Sequence, residues 1–232
     1  MRILLDTANL DDIRYFNTYY PIEGVTTNPT ILSKEGGDVL AHLKSIREII
    51  GEDKELHVQV TEKEFDKIIE ESRLLIDYLG INTFVKIPVT DVGLRVTKYL
   101  SDRGIGVTVT AVLTAAQAML AANAGATYVA PYISRSENLC ADGVGTVEDI
   151  AKIFKSSGSD TQILAASFKT AKEVLDVAVV GCHSATIGPG IMKMLLSHTT
   201  TDTSIIGFEK DWENAFGNTT FLKLFKEKNK QI

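Results

Sequence analysis

The chain has 232 residues, of which 44% are hydrophobic and 23% charged, a composition within the ordinary range for a globular protein. Its formal net charge of −6 argues against a nucleic-acid-binding surface, because contact with phosphate backbones requires clustered lysine and arginine. The apolar runs are too short to cross a bilayer, and the first residues lack the long apolar segment of a secretory signal. A cytoplasmic protein without nucleic-acid or membrane partners is therefore predicted.

Short β-branched or apolar runs alternate along the chain with longer segments of helical apolar spacing. This alternation is typical of repeated βαβ units that build a parallel sheet. The predicted strands begin near Arg2, Gly24, Leu56, Thr83, Ile105, Thr127, Gln162 and Ser184. Helices are predicted over residues 38–50, 62–78, 92–100, 114–123, 146–154, 170–179 and 190–196.

Eight such units predict an α/β fold, a single-domain eight-stranded β/α (TIM) barrel, over residues 1–200. The alternative is an open doubly wound sheet, which usually carries a glycine-rich nucleotide loop after its first strand, and residues 6–9 do not form one. Residues 201–232 are predicted to add a C-terminal helical extension. Its apolar stripe of Ile205, Phe208, Trp212 and Phe216 can pack on the barrel or on a neighbouring subunit.

Polar and apolar side chains alternate within the predicted strands, so each strand has two chemically different faces. If the apolar faces pack under the helices, the polar faces converge on the barrel axis. In the seventh strand, Leu164, Ala166 and Phe168 are interpreted as apolar-face residues opposite Ser167. The side chains predicted at the axis are Asp6, Thr26, Asn28, Gln59, Lys86, Thr110, Tyr132 and Ser167. The alternative is a set of solvated strand ends.

Lys86 lies inside the apolar strand sequence FVKIPV. One interpretation is a buried ion pair with a carboxylate such as Asp6. The other is a nucleophile, which must be neutral to attack a carbonyl, although an unperturbed lysine has a pKa of about 10.4. Burial in an apolar layer favours the neutral amine. A Schiff base also requires a general acid/base nearby, and Tyr132, directly or through a water held by Gln59 and Thr110, is predicted to supply it.

Several other side chains are predicted to bind substrate. Asn28 and Ser167 are candidates for substrate hydroxyls, and Asp6 for a hydroxyl or for assisting carbon–carbon cleavage. Arg135 lies in the loop after the sixth strand, where a phosphate can bind, with Ser167 and Lys169 as helpers. No metal site is predicted, because the histidines lack HxH or HExxH spacing and the two cysteines, Cys140 and Cys182, stand alone as expected for free thiols.

The chain resembles the short transaldolase and fructose-6-phosphate aldolase family over nearly its whole length. The matching segments are LLDTAN at residues 4–9, GVTTNP at 24–29, VKIPVT at 85–90, AGATYVAPY at 124–132 and ILAASFKT at 163–170. The resemblance implies a β/α barrel whose fourth strand carries the Schiff-base lysine, Lys86, and implies no metal or organic cofactor. It extends functional roles to the residues Asp6, Thr26, Asn28, Gln59, Thr110, Tyr132, Arg135 and Ser167.

Three functions are consistent with the resemblance. Aldolases of the family resemble this chain at Gln59 and Tyr132, where transaldolases typically have Glu and Phe, so reversible cleavage of fructose 6-phosphate to dihydroxyacetone and glyceraldehyde 3-phosphate is preferred. The alternative is transfer of a dihydroxyacetone unit between sugar phosphates such as sedoheptulose 7-phosphate and glyceraldehyde 3-phosphate. A non-catalytic sugar-phosphate-binding barrel is the third. Leu113, Ala171 and Lys172 depart from the aldolase pattern on the acceptor side.

The resemblance also bears on assembly. It implies a homo-oligomer, a pentamer or decamer, in which the C-terminal helix docks on a neighbouring subunit. The composition of the chain gives no sign of such an assembly.

Overall fold

The computed structural model describes residues 1–138 and 140–229. Within this part of the chain, eight parallel strands close into a barrel in chain order, and the first strand pairs with the eighth. The strands are β1 (Arg2–Asp6), β2 (Gly24–Thr26), β3 (Glu55–Gln59), β4 (Thr83–Pro88), β5 (Val107–Val112), β6 (Tyr128–Pro131), β7 (Gln162–Ala165) and β8 (Ser184–Ile187). The predicted β/α barrel is confirmed, and the open-sheet alternative is wrong.

Helices connect consecutive strands on the outside of the barrel, and one more follows the last strand. They are α1 (Leu10–Tyr19), α2 (Pro29–Glu35), α3 (Val39–Ile50), α4 (Phe65–Leu79), α5 (Asp91–Ser101), α6 (Ala115–Asn123), α7 (Ile133–Glu137), α8 (Gly143–Ser157), α9 (Ala171–Val179) and α10 (Pro189–Leu196). Three of them, α1, α2 and α7, were not predicted from apolar spacing. α2 and α7 have 7 and 5 residues, which is too short for a clear helical periodicity, and α1 buries only Ile13 and Phe16 among its 10 residues.

The chain divides into two compact units, one spanning Met1–Met192 and the other beginning at Lys193. The second unit contains α11 (Thr199–Phe216) and α12 (Phe221–Lys228). Its Trp212 ring lies 4.6 Å from Phe216 and 4.9 Å from Phe221, measured between centroids, and its indole N–H donates to the Thr219 carbonyl at 2.7 Å. These contacts hold the two helices together. No helix in residues 1–138 or 140–229 has both the length and the apolar character needed to span a membrane.

The main hydrophobic core lies between the strands and their surrounding helices. The strand residues Leu5, Val25, Val85, Ile87 and Val109 are fully buried there. Their sequence neighbours point to the barrel axis, where Leu4, Tyr128 and Leu164 form a second, smaller cluster with Phe84 packed against it. The alternation predicted for the strands therefore matches the structure in β4 and β5.

The interpretation of the seventh strand was wrong. Ile163 and Ala165 belong to the outer core, whereas Leu164 faces the axis. The strand ends at Ala165, and Ser167 two residues later has a φ of 66° in the left-handed region. A regular alternation cannot be extended through such a residue, because the chain leaves the extended conformation there.

Side-chain caps fix the starts of several helices that follow the strands. Asn9, Asn28 and Thr90 each accept a hydrogen bond from a backbone N–H in the first turn of their helices. Thr114 and Thr170 form reciprocal capping boxes with Gln117 and Glu173. These caps hold the loops at the carboxyl ends of the strands, which is the end where β/α barrels carry their chemistry.

Candidate active site

The carboxyl ends of the first five strands bring half of the predicted site residues together. Asp6 and Thr26 are paired in register at the ends of β1 and β2. Gln59 is paired with Lys86 across β3 and β4, and Thr110 lies opposite Pro88 on β5. These pairings follow from the closed parallel barrel, in which neighbouring strands end at one face.

Lys86 is buried, with 6% of its surface exposed, and its amine donates a hydrogen bond to the Thr27 carbonyl at 2.8 Å. In the described part of the chain, no carboxylate lies within ion-pair distance of this amine: the nine ion pairs found there do not include it. Burial lowers the pKa of Lys86, and the negative charge of Asp6 opposes that shift without reversing it. The geometry therefore does not match the buried ion pair that the sequence left open.

Asp6 lies near enough to Lys86 for the two groups to influence each other electrostatically. Burial raises the pKa of Asp6, while the Lys86 charge and a hydrogen bond from Thr26 act in the opposite direction. The Thr26 hydroxyl donates to the Asp6 carboxylate at 2.7 Å and is itself 2.6 Å from the Thr186 hydroxyl. Burial therefore makes the Lys86 amine easier to deprotonate and the Asp6 carboxylate a stronger proton acceptor.

Tyr132 follows β6 and occupies the N-cap position of the short helix α7, where its side chain makes no capping hydrogen bond. Its hydroxyl lies 3.2 Å from the Thr110 hydroxyl. β5 bulges between Thr110 and Val112, and Ala111 at the bulge has a φ of 61°. Such a bulge changes the direction of the strand locally and is common beside functional sites.

Arg135 lies one turn into α7, and its guanidinium carbon is 4.7 Å from the centroid of the Tyr132 ring. The side chain is exposed at the end of the barrel where β6 terminates. A cation on an aromatic face is stabilised by the ring electrons. Arg135, which is predicted to bind a phosphate, is therefore in direct contact with Tyr132, which is predicted to act as the acid/base group.

The remaining predicted residues, Asn28, Ser167 and Lys169, differ in their burial and in their hydrogen bonds. The Asn28 carboxamide oxygen accepts from the Ile31 N–H at 3.0 Å as a helix cap, which leaves its NH2 group as the donor for any ligand. Ser167 is half-buried and its carbonyl accepts from the Ser134 N–H at 2.9 Å. Lys169 is exposed, and its backbone N–H is bound by Glu173.

A second polar cluster, which we call the lower layer, consists of Arg2, Glu55, His57, Thr108 and Tyr128. It lies toward the amino ends of the strands, beneath Lys86. Glu55 accepts hydrogen bonds from the Arg2 guanidinium at 2.6 Å and the Tyr128 hydroxyl at 2.9 Å, and its other oxygen is 3.1 Å from His57. The second ring nitrogen of His57 is 2.8 Å from the Thr108 hydroxyl. Every member of the cluster has a partner within it.

The lower layer perturbs its own titratable groups strongly. Burial would raise the pKa of Glu55, but the hydrogen bonds from His57 and Arg2 outweigh burial and hold that pKa at about 2. Burial lowers the pKa of His57, with the Glu55 carboxylate acting in the opposite direction. Burial and the Glu55 charge raise the pKa of Tyr128 to about 12. No site role was predicted for these side chains from the sequence.

Comparisons with known proteins identify the family. Residues 3–230 match the family model described as Transaldolase/Fructose-6-phosphate aldolase. A protein of Symbiobacterium thermophilum named probable transaldolase is 39% identical over 217 residues, covering 94% of this chain and 99% of the relative. A Brevibacillus brevis protein with the same name is 41% identical over 212 residues, covering 91% and 98%. The chain belongs to the transaldolase/fructose-6-phosphate aldolase family.

Solved structures similar to this family member extend the comparison to the fold alone. A mandelate oxidase mutant with an FMN adduct superimposes with a TM-score of 0.57 at 12% identity, over 82% of this chain and 64% of that chain. A structure described as native KDPGal gives a TM-score of 0.56 at 15% identity, over 80% and 81%. At such low identity these likenesses support the barrel architecture and carry no information about substrate.

Three groups in the site of this transaldolase-family enzyme were missed by the sequence analysis. Thr27 contributes only its backbone carbonyl, for which a sequence carries no signal. Thr186 on β8 was detectable, because it alternates with the buried Ala185 and Ile187. Ser134, buried between Tyr132 and Arg135, had no periodicity to reveal it, since α7 is only five residues long.

Proposed function

We propose that this enzyme transfers a dihydroxyacetone unit from a ketose phosphate to an aldose phosphate through a Schiff base on Lys86. The observation that carries the proposal is the state of the Lys86 amine. It is enclosed, its pKa is lowered by burial, and its hydrogen bond goes to a neutral carbonyl. A lysine in that state can act as a nucleophile.

In the proposed reaction, the neutral Lys86 amine attacks the ketose carbonyl at C2. The resulting carbinolamine loses its hydroxyl group as water and becomes an iminium ion. Tyr132 donates the proton that leaves with this water, and the Thr110 hydroxyl, 3.2 Å away, orients the phenol. Gln59, paired in register with Lys86, binds the same water.

Carbon–carbon cleavage then requires a base for the C4 hydroxyl. Asp6 is proposed to take this proton, since its raised pKa makes its carboxylate a better acceptor than an ordinary aspartate. The C3–C4 bond breaks, its electrons move into the iminium, and an aldehyde and an enamine result. Addition of the enamine to a second aldose phosphate, followed by hydrolysis from Lys86, completes the transfer.

Substrate binding is assigned to the rim. Arg135 binds the phosphate, with Lys169 as a second cation and the Ser167 hydroxyl as a donor. The Asn28 NH2 group binds a hydroxyl of the donor, and Thr26 holds Asp6 in position. Sugar phosphates are the substrates that the family implies.

Free aldol cleavage of fructose 6-phosphate is the second candidate. The names of the curated relatives support transfer, whereas the sequence pattern favoured cleavage. Cleavage is supported by the Tyr132 hydroxyl beside Thr110, because a phenol can protonate the enamine carbon and release dihydroxyacetone, which a phenyl ring cannot do.

Borohydride reduction in the presence of fructose 6-phosphate tests the covalent step. A reduced adduct on Lys86 is expected by peptide mass mapping, and none in Lys86→Met. Lys67→Met, which removes a lysine on the outer face of α4, is the matched control and should give the wild-type adduct. If Lys86 stays unmodified in protein that binds the sugar, the Schiff-base mechanism is wrong and the remaining function is that of a non-catalytic sugar-phosphate-binding barrel.

Dependence on an acceptor separates the two reactions. Release of glyceraldehyde 3-phosphate from fructose 6-phosphate is measured with and without erythrose 4-phosphate. Transfer predicts release that requires the acceptor. Release at an equal rate without it would replace transfer by aldol cleavage as the function.

A further inference from the structure

Glu173, in the first turn of α9, binds two separate loops of the site. One of its carboxylate oxygens accepts from the backbone N–H groups of Lys169 at 2.7 Å and Thr170 at 3.0 Å. The other accepts from the Ser134 hydroxyl at 2.8 Å, a residue 39 positions earlier in the chain. A capping box requires only the contact with the cap residue. The bond to Ser134 is therefore additional, and it joins α7 to the loop after β7.

The helix that carries Ser134, α7, depends on contacts with the rest of the protein for its position. α7 has five residues, and an isolated helix of that length is unstable in water. Ser134 is its anchor: the side chain is buried, the hydroxyl donates to Glu173, and the backbone N–H donates to the Ser167 carbonyl at 2.9 Å. Tyr132 and Arg135 flank this anchor on either side.

The carboxylate form of Glu173 is favoured by its surroundings. Burial would raise its pKa, but the hydrogen bonds from the Lys169 backbone and the Ser134 hydroxyl outweigh burial and lower it. A charged acceptor makes a stronger hydrogen bond than a neutral one. The bridge is therefore well suited to holding a short helix in one place.

We propose that Glu173 is a positioning residue that acts through Ser134: it ties the loop of residues 167–170 to α7 and so fixes Arg135 where a substrate phosphate binds. The inference rests on the phosphate role given to Arg135 above. It predicts a defect specific to phosphorylated ligands, because the bridge supports the phosphate end of the site and does not contact Lys86.

Ser134→Ala removes the bridge and leaves the capping box of Glu173 and Thr170 intact. We expect the KM for glyceraldehyde 3-phosphate as acceptor to rise roughly tenfold, the equivalent of one lost hydrogen bond to a charged group. The KM for unphosphorylated glyceraldehyde should stay within about twofold of wild type on the same scale. Ser72→Ala is the matched control, since Ser72 is equally buried but bonds only to the Ile68 carbonyl within α4.

Binding of inorganic phosphate, measured by calorimetry, tests the same idea without turnover. Ser134→Ala and Glu173→Ala should weaken phosphate binding roughly tenfold, and Glu173→Gln should recover most of it, because a carboxamide can cap the helix and donate to the Ser134 hydroxyl. Each alanine variant carries the test if the other does not fold. Equal KM increases for both acceptors, or unchanged phosphate binding in the folded variants, would overturn the proposal. Failure of borohydride trapping would instead remove the Schiff-base function and leave the phosphate measurement valid.

Discussion

Two layers of polar side chains lie on the axis of the same barrel, and they differ in how completely they are hydrogen-bonded. In the lower layer, the single side chain of Glu55 takes part in three hydrogen bonds, with Arg2, His57 and Tyr128. The upper layer comprises Gln59, Lys86, Thr110, Tyr132 and Ser167 at the carboxyl ends of the strands, and there Lys86 makes one hydrogen bond, to a carbonyl. Within residues 1–138 and 140–229, the side chains of Gln59 and Ser167 make none, and both are only half-buried.

This difference separates side chains that stabilise the fold from side chains that are available for the reaction. A saturated buried network stabilises the fold, and breaking it leaves a charge without a partner. Groups with free hydrogen-bonding capacity cost stability in the empty protein and gain partners when a ligand binds. The two layers should therefore respond in opposite ways to substitution.

Lys86→Met is expected to have the largest effect, and the effect should fall on activity. Turnover should drop at least about 10⁴-fold, as when a covalent nucleophile is removed from other enzymes. The free energy of unfolding should rise or stay level, because the substitution removes a buried polar group from a layer that does not depend on it. Steady-state assays and urea unfolding measure the two quantities, and a marked loss of stability would break the distinction between the layers.

Glu55→Gln should show the opposite pattern in the lower layer. We expect a loss of about 3 kcal/mol in the free energy of unfolding, because Arg2 and His57 lose the charge they both contact. Turnover per folded molecule should stay close to wild type. Glu23→Gln is the matched control, since Glu23 is exposed and 3.9 Å from the same guanidinium, and it should cost less than about 0.5 kcal/mol.

Tyr132→Phe sharpens the comparison inside the upper layer. Both reactions should slow, because Tyr132 supplies the proton for carbinolamine dehydration in each, but free aldol cleavage should fall roughly a hundredfold or more beyond the loss in transfer, the contribution of a second proton transfer from the phenol. The reason is that transfer returns the enamine to an aldehyde, whereas release of dihydroxyacetone requires a proton at carbon. Equal losses in the acceptor-dependent and acceptor-free assays would contradict the role given to the phenol.

The sequence predicted the parts of the site that regular alternation controls. Lys86 and Thr110 face the axis because their neighbours Val85, Ile87 and Val109 are buried under helices. Alternation failed where the backbone leaves the extended state. Ala111 and Ser167 adopt positive φ, which neither residue type favours, so no local signal marked the bulge or the turn.

The lower layer was missed for a different reason. Glu55 and His57 are two residues apart on one strand and so share a face, a signal that the sequence contains. Their partners, Arg2, Thr108 and Tyr128, lie on three other strands, and only the closed barrel brings them together. Asn28 illustrates a related limit, since its carboxamide oxygen caps a helix whose existence the apolar spacing did not predict.

The smallest predicted effect is the pH dependence of stability that His57 confers. Burial holds its pKa below the value of 6.5 that applies in the unfolded chain. Below pH 6.5 the unfolded state therefore binds more protons than the folded state, and stability falls as the pH falls, by up to about 1.4 kcal/mol per pH unit.

His57→Gln should remove this slope between pH 6.5 and 5.5 in urea unfolding, although it lowers stability at neutral pH by disturbing Glu55 and Thr108. His183, whose pKa is also lowered by burial, is present in both proteins and cancels in the difference. His198→Gln, on an exposed side chain, should keep the wild-type slope. If His57→Gln keeps it too, His57 titrates with an ordinary pKa, and the lower layer is more open to water than its hydrogen bonds indicate.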